Sequence, residues 1–158
     1  MDPLQRFTGL ALVLFSFLCS ILRMRISQKL EYACRAMVQL AQHHDGQTLT
    51  QLDDIAQREA VSANFLVQIL NDLKRGDLII SKRGKTGGYL LARDPREINL
   101  LDITKAADPG MLSSHVIGEG ESGRAIHDAW NQIHETLCKE LSSITLDSLG
   151  TQTPMFYI

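Results

Sequence analysis

Between Gln51 and Arg93 the chain reads QLDDIAQREAVSANFLVQILNDLKRGDLIISKRGKTGGYLLAR, and its rhythm changes midway. Leu52, Ile55 and Ala56 recur at helical spacing, which predicts a short helix over about 51–59. Ser62 is placed to cap a second helix reaching Lys74, with Phe65, Leu66, Ile69, Leu70 and Leu73 on or near its inner side and Gly76 as its stop. Two helices about a tight turn at Ala60 and Val61 read as a helix-turn-helix. The period then shortens. Leu78, Ile79 and Ile80 read as a strand, 82–88 as a basic glycine-rich loop, and 89–92 as a returning strand, the pattern of a hairpin. The loop lacks the spacing of a phosphate-cradling loop and leads into a strand, so nucleotide binding is not expected. A hairpin directly after a helix-turn-helix is a wing. The expected fold is therefore mainly α with a small β-hairpin wing, a winged helix-turn-helix.

Charge points the same way. The 158 residues carry a formal net charge of −2, which excludes a uniformly basic coat. Yet residues 74–96 hold seven basic side chains (Lys74, Arg75, Lys82, Arg83, Lys85, Arg93 and Arg96) against Asp77 and Asp94. One basic patch on an acidic body suits docking on a polyanion. With 44% hydrophobic and 22% charged residues, the chain has enough apolar material for a core.

Outside this stretch, Ser27 is expected to cap a first helix whose Leu30, Ala33, Cys34, Met37, Val38, Leu40 and Ala41 form an apolar face. A small helix is predicted over about 101–107, followed by an irregular, glycine-rich stretch at 108–123. A long helix over about 124–143 then carries Ile126, Ala129, Trp130, Ile133, Leu137, Leu141 and Ile144 as one apolar stripe. Ile126, Trp130, Ile133, Leu137 and Leu141 are the expected dimerisation residues; the alternative is that this helix packs back on the first one. Residues 7–22 form an apolar run of sixteen, short of the ~20 that span a bilayer, without a small-x-small cleavage site. Segment 1–23 thus reads as an extension from a mis-assigned start, with a hydrophobic anchor as the alternative. The expected organisation is 1–23 extension, 24–97 winged helix-turn-helix DNA-binding domain, 98–149 effector-loop and dimerisation region, and 150–158 tail.

Taken together, these fragments resemble the Rrf-two family of bacterial winged-helix regulators. The resemblance rests on Met-Arg-Ile-Ser-Gln-Lys-Leu-Glu-Tyr-Ala at 24–33, on Ile55 and Ala56 with Val61 and Ser62, and on Arg83 and Gly84 with Gly-Gly-Tyr-Leu-Leu-Ala-Arg at 87–93. Residues 98–102 and 143–146 extend it. It implies a homodimer on double-stranded DNA, binding an inverted repeat with recognition helices in major grooves and wings at the flanking minor grooves. On matching positions Ser62, Asn64, Phe65 and Gln68 are the expected base readers. Gln68 can pair with adenine and Phe65 can touch thymine methyls, although core packing is an equal reading of Phe65. Arg83 is the expected minor-groove finger, with Lys82 and Lys85 on the phosphate backbone. Three departures stand out: Val67 replaces a glutamate common in the family, Ala60 replaces a turn glycine, and Gly76 precedes Asp77 where the glycine is displaced by one position.

Cluster-binding relatives hold their metal with cysteines before the long helix, whereas 108–124 contains none here. His127 and Glu31 stand where the family places other ligands. One imidazole and one carboxylate do not make such a site, and His115 with His127 lack a third ligand. No metal or cofactor is expected. Cys34 and Cys138 fall on helical stretches and read as structural thiols. No nucleophile, base and acid stand in a catalytic pattern. The expected protein is a cytoplasmic transcriptional repressor and not an enzyme, its unknown effector, small molecule or protein, acting through 108–123. The alternative is a winged-helix protein-interaction module, tethered by its N-terminal segment.

Overall fold

The computed structural model describes residues 26–84, 86–113 and 118–150. The expectations for 1–25, Lys85, His115 and the tail from 151 lie outside them. Helix α1 (Gln28–Gln42) begins where Ser27 Oγ accepts the Leu30 amide at 3.1 Å, and it buries Leu30, Ala33, Ala36, Met37 and Leu40. Helices α2 (Leu52–Arg58) and α3 (Ala63–Arg75) form the helix-turn-helix. Strands β1 (Ile79–Lys82) and β2 (Gly88–Leu91) form the antiparallel wing, in register Ile79 to Leu91 and Lys82 to Gly88. After a 3-10 turn at Pro95–Glu97 come α4 (Leu100–Ala107), α5 (Gly123–Ser143) and α6 (Leu146–Gly150). The first strand thus runs later than Leu78–Ile80, because Leu78 is spent closing α3.

That closure explains the displaced glycine. The Leu78 amide bonds Leu73 O at 3.1 Å and the Asp77 amide bonds Lys74 O at 3.1 Å, a helix stop whose next-to-last residue is left-handed. Asp77 fills that position with φ 54°, where glycine is the usual occupant. Gly76 is needed for another reason: a Cβ there would lie 2.8 Å from Ala106 Cβ, so the bare backbone is what lets α3 meet α4. The same stop ends α2, where the Val61 amide reaches Ala56 O at 3.0 Å and Ala60 takes φ 51°. The two departures that involve a glycine therefore each leave a left-handed residue, Ala60 or Asp77, without glycine's freedom.

The core is continuous. Leu66, Ile69, Leu70 and Leu73 of α3 meet α1, Ile55 of α2, Leu78, Ile79 and Leu91 of the wing, and Ile98, Ile103, Ala107 and Leu146 from the C-terminal third. Burying each large aliphatic side chain contributes about 1.5–3 kcal/mol. Asn99 and Asp102 cap α4 reciprocally, the Asp102 amide donating to Asn99 Oδ1 at 3.0 Å. Residues 98–100 pair with 144–146, through Leu100 N to Ile144 O at 3.0 Å and Leu146 N to Ile98 O at 2.9 Å. Two stretches over forty residues apart in sequence are thereby joined, fastening the end of α5 to the head. Among the described residues no helix is long and apolar enough to cross a membrane.

Candidate nucleic-acid interface

Helix α3 turns its four buried residues inward and leaves Ser62, Asn64, Gln68, Asn71 and Arg75 exposed. Asn64, Gln68, Asn71 and Arg75 follow the i, i+4, i+7, i+11 rule, so their side chains share one outward stripe. Asn71 adds to the base readers expected from the sequence, and its helical spacing from Gln68 is the signal that finds it. Ser62 accepts the Phe65 amide at 3.3 Å, so its hydroxyl caps the helix. Phe65 is half-buried and packs edge-on to Tyr32, with ring centroids 6.1 Å apart. Part of that ring therefore serves the contact between α1 and α3.

The wing is held by sterics as well as hydrogen bonds. Gly87 N bonds Gly84 O at 2.9 Å, and Gly84 has φ 121°. A Cβ on Gly88 would come within 2.5 Å of Thr50 O. Thr50 needs that approach, because it exchanges two 2.9 Å backbone bonds with Tyr89 and adds a short third rung to the hairpin. The glycines of the loop serve a tight turn and a close strand contact, not a phosphate cradle.

The basic cluster divides into two groups. Arg75 pairs with Asp72, Arg93 with Asp102 at 3.7 Å, and Arg96 with Asp94 at 3.0 Å. Lys74 donates to Ser81 Oγ at 2.8 Å, tying α3 to β1. Lys82 and Arg83 are exposed and make no ion pair among the described residues. The cations left over for an outside anion are thus at the hairpin tip, beside the end of β1. Lys29 also binds Asp72, at 2.5 Å, so that this one largely buried carboxylate serves two helices. Asp94 accepts from the Arg96 guanidinium and amide, which hold its carboxyl down at about 2.

Helix α5 has the opposite disposition. It buries no residue, and Ile126, Trp130 and Ile133 are 52%, 51% and 55% exposed. Leu137 and Leu141 on the same stripe are half-exposed. Its main contact within the chain is α4. The half-buried stripe beside the apolar one carries His127, Asn131, His134 and Cys138; Asn131 Nδ2 lies 3.1 Å from His127 Nδ1, and Cys138 Sγ 3.5 Å from His134 Nε2. Among the described residues, no three of His, Cys, Asp and Glu are grouped to hold a metal ion.

The sequence pattern of the Rrf2 family, described as an iron-dependent transcriptional regulator, matches residues 26–152. Rv1287 of Mycobacterium tuberculosis is 40% identical over 137 residues, covering 83% of this chain and 84% of that protein. The transcriptional regulator CymR of Bacillus subtilis is 32% identical over 141 residues, 85% of this chain and all of CymR. The solved structure of CymR, the global cysteine regulator of B. subtilis, superposes with a TM-score of 0.71 at 30% identity over 83% of this chain and 99% of that one. IscR of T. potens follows at 0.66 and 30%, over 85% and 92%. These proteins are regulators rather than enzymes, and their fold is the winged helix described above. The chain belongs to the Rrf2 family of transcriptional regulators.

Proposed function

We propose that this regulator is a homodimeric repressor that reads an inverted repeat in double-stranded DNA and carries no iron-sulfur cluster. The observation that carries the reading is the pairing of an outward carboxamide stripe on α3 with unpaired cations at the wing tip. Asn64 and Gln68 supply side-chain amides able to meet adenine edges in a major groove. Arg83 enters the neighbouring minor groove, and Lys82, with Lys85, meets phosphates. Ser62 contributes at the helix start while it caps. Phe65 presents to thymine methyls the part of its ring that Tyr32 does not cover.

The dimer rests on α5. An apolar stripe turned to water is costly, and a second copy bearing the same stripe covers it symmetrically. Ile126, Trp130, Ile133, Leu137 and Leu141 form that contact. In this division 24–97 reads DNA and 98–149 sets the spacing of the two reading heads, although both share one core. Binding then depends on that spacing, since both α3 helices must meet grooves one turn apart.

The residues do not fit an iron-sulfur cluster. Such clusters need several thiolates. The two cysteines among the described residues are Cys34 on α1 and Cys138 on α5, and 108–124 has no cysteine.

The test is selection of genomic fragments by the purified protein at moderate salt. One enriched inverted repeat, with affinity falling steeply as salt rises, supports the reading. No enrichment by a folded dimer would sink it. Absence of colour and iron after anaerobic purification checks the missing cluster.

A further inference from the structure

A cleft of about 390 Å³ opens where the first turn of α1 and the last turns of α3 and α4 meet the 3-10 turn Pro109–Leu112. Lys29, Arg75 and Lys105 line it, with Asp72 as the acid among its described residues. Asp72 is largely buried and pairs with Lys29, at 2.5 Å, and with Arg75, so one negative charge is shared between two cations. Lys105, outside the basic cluster of 74–96, is exposed and makes no ion pair among the described residues. A smaller cleft of about 190 Å³ adjoins the first and shares Gly76, Lys105 and Ala106 with it. The charges it adds, Arg93 and Asp102, pair with each other at 3.7 Å. Across both clefts, cations outnumber carboxylates, and Lys105 stands between the two.

Helix dipoles explain part of this. A cation in the last turn complements a helix C-terminus, which suits Arg75 on α3 and Lys105 on α4. Lys29 stands at the opposite kind of end, in the first turn of α1, where its own helix gains nothing from a positive charge. Three elements thus bring cations to one concavity. Arg75 donates to Asp72 through Nη2, which leaves the rest of its planar fork for another oxyanion. Small-molecule sites are concave and about 300–1,000 Å³ in volume, whereas a duplex is met by projecting elements such as α3 and the wing. We infer that this cleft binds a small organic anion, its carboxylate or phosphate held by Lys105, Lys29 and Arg75. Gly76 and Ala106, common to both clefts, are where α3 meets α4. An anion seated there joins the end of the reading helix to the start of 108–123 at Pro109. No described residue of α5 lines either cleft, so the site lies apart from the dimer stripe. That an occupied cleft alters DNA affinity rests on the regulator reading above; the anion site itself does not.

Equilibrium dialysis of the full chain against inorganic phosphate, and separately against succinate, reads the site without DNA. Sodium chloride at matched ionic strength accounts for screening. One saturable site per chain is expected for at least one probe, and the probe that binds identifies the anionic group. Lys105→Ala should weaken that binding about tenfold, as for the loss of one charge-assisted contact, and Lys105→Arg should restore most of it. Failure of both probes to bind the folded parent would overturn the inference. Equal loss of probe binding in Arg83→Ala would also overturn it, placing the anion at the wing. So would weaker duplex binding by Lys105→Ala in probe-free buffer, which would make the cleft a contact to the DNA backbone. A chain that selects no DNA still reports on the cleft by dialysis, so the two readings fail separately.

Discussion

Helices α3 and α5 are both amphipathic, yet they dispose of their apolar residues in opposite directions. Leu66, Ile69, Leu70 and Leu73 of α3 are fully enclosed by the same chain, and what faces water is Asn64, Gln68 and Asn71. Helix α5 buries nothing and shows water Ile126, Trp130 and Ile133. The same helical periodicity therefore serves two ends. In α3 it encloses the core of one chain, and in α5 it leaves an apolar stripe facing water. A polar outward face beside free cations fits a polar, charged partner, whereas an apolar outward face fits another apolar surface.

The contrast can be broken at several points. Leu70→Ala should cost about 2–5 kcal/mol of stability, since it opens a void in the enclosed core; urea denaturation followed by circular dichroism measures it. Trp130→Asp should leave the urea midpoint of the monomer nearly unchanged and weaken the dimer about 100-fold by sedimentation, as for a central interface residue. If Trp130→Asp unfolded the chain instead, α5 would belong to the head's own core. Arg83→Ala should weaken specific DNA binding about 10–100-fold, and Lys82→Ala should lower the salt dependence by about one counterion. Equal binding by all these variants would leave the wing without a DNA role.

Two smaller effects sharpen the account of the head. Ala60→Gly should stabilise it by about 0.5–1 kcal/mol, since the left-handed strain released exceeds the extra chain entropy of glycine; Asp77→Gly should gain less, because Asp tolerates that region. Thermal melting resolves both. The smallest is pH-dependent. Asp94 and Asp45 have carboxyls lowered to about 2 by their hydrogen bonds with Arg96 and with Thr48 and Gln47. A carboxyl lowered in the folded state stabilises above its ordinary range near 4, and that contribution is lost as pH falls from about 4 towards 2. Asp94→Asn should make acid unfolding less steep in that window.

Much of the head was readable residue by residue. Ser27 and Ser62 stand at the predicted caps, Gly76 ends α3, and the glycine-rich loop joins two strands as expected. Each of these depends on hydrogen bonds or sterics within four or five residues, so the local pattern is sufficient. The candidate site was less complete. Charge alone does not distinguish the seven cations; the family resemblance sets Lys82, Arg83 and Lys85 apart, and the structure adds that Asp72, Asp94 and Asp102 engage three of the other four and Ser81 the fourth. The short helix α6 has no signature in the sequence, because five residues carry too little periodicity.

From its own sequence this protein determines a capped helix-turn-helix, a glycine-turned wing and a long amphipathic helix, because caps, turns and hydrophobic periodicity act over one or two turns of chain. Only the tertiary structure decides that Gly76 is glycine to admit Ala106, that residues 98–100 bind 144–146, which cations remain unpaired, and that α5 faces its apolar stripe outward. Those outcomes hang on approaches between residues far apart in sequence, and no local pattern encodes a distance that packing alone sets.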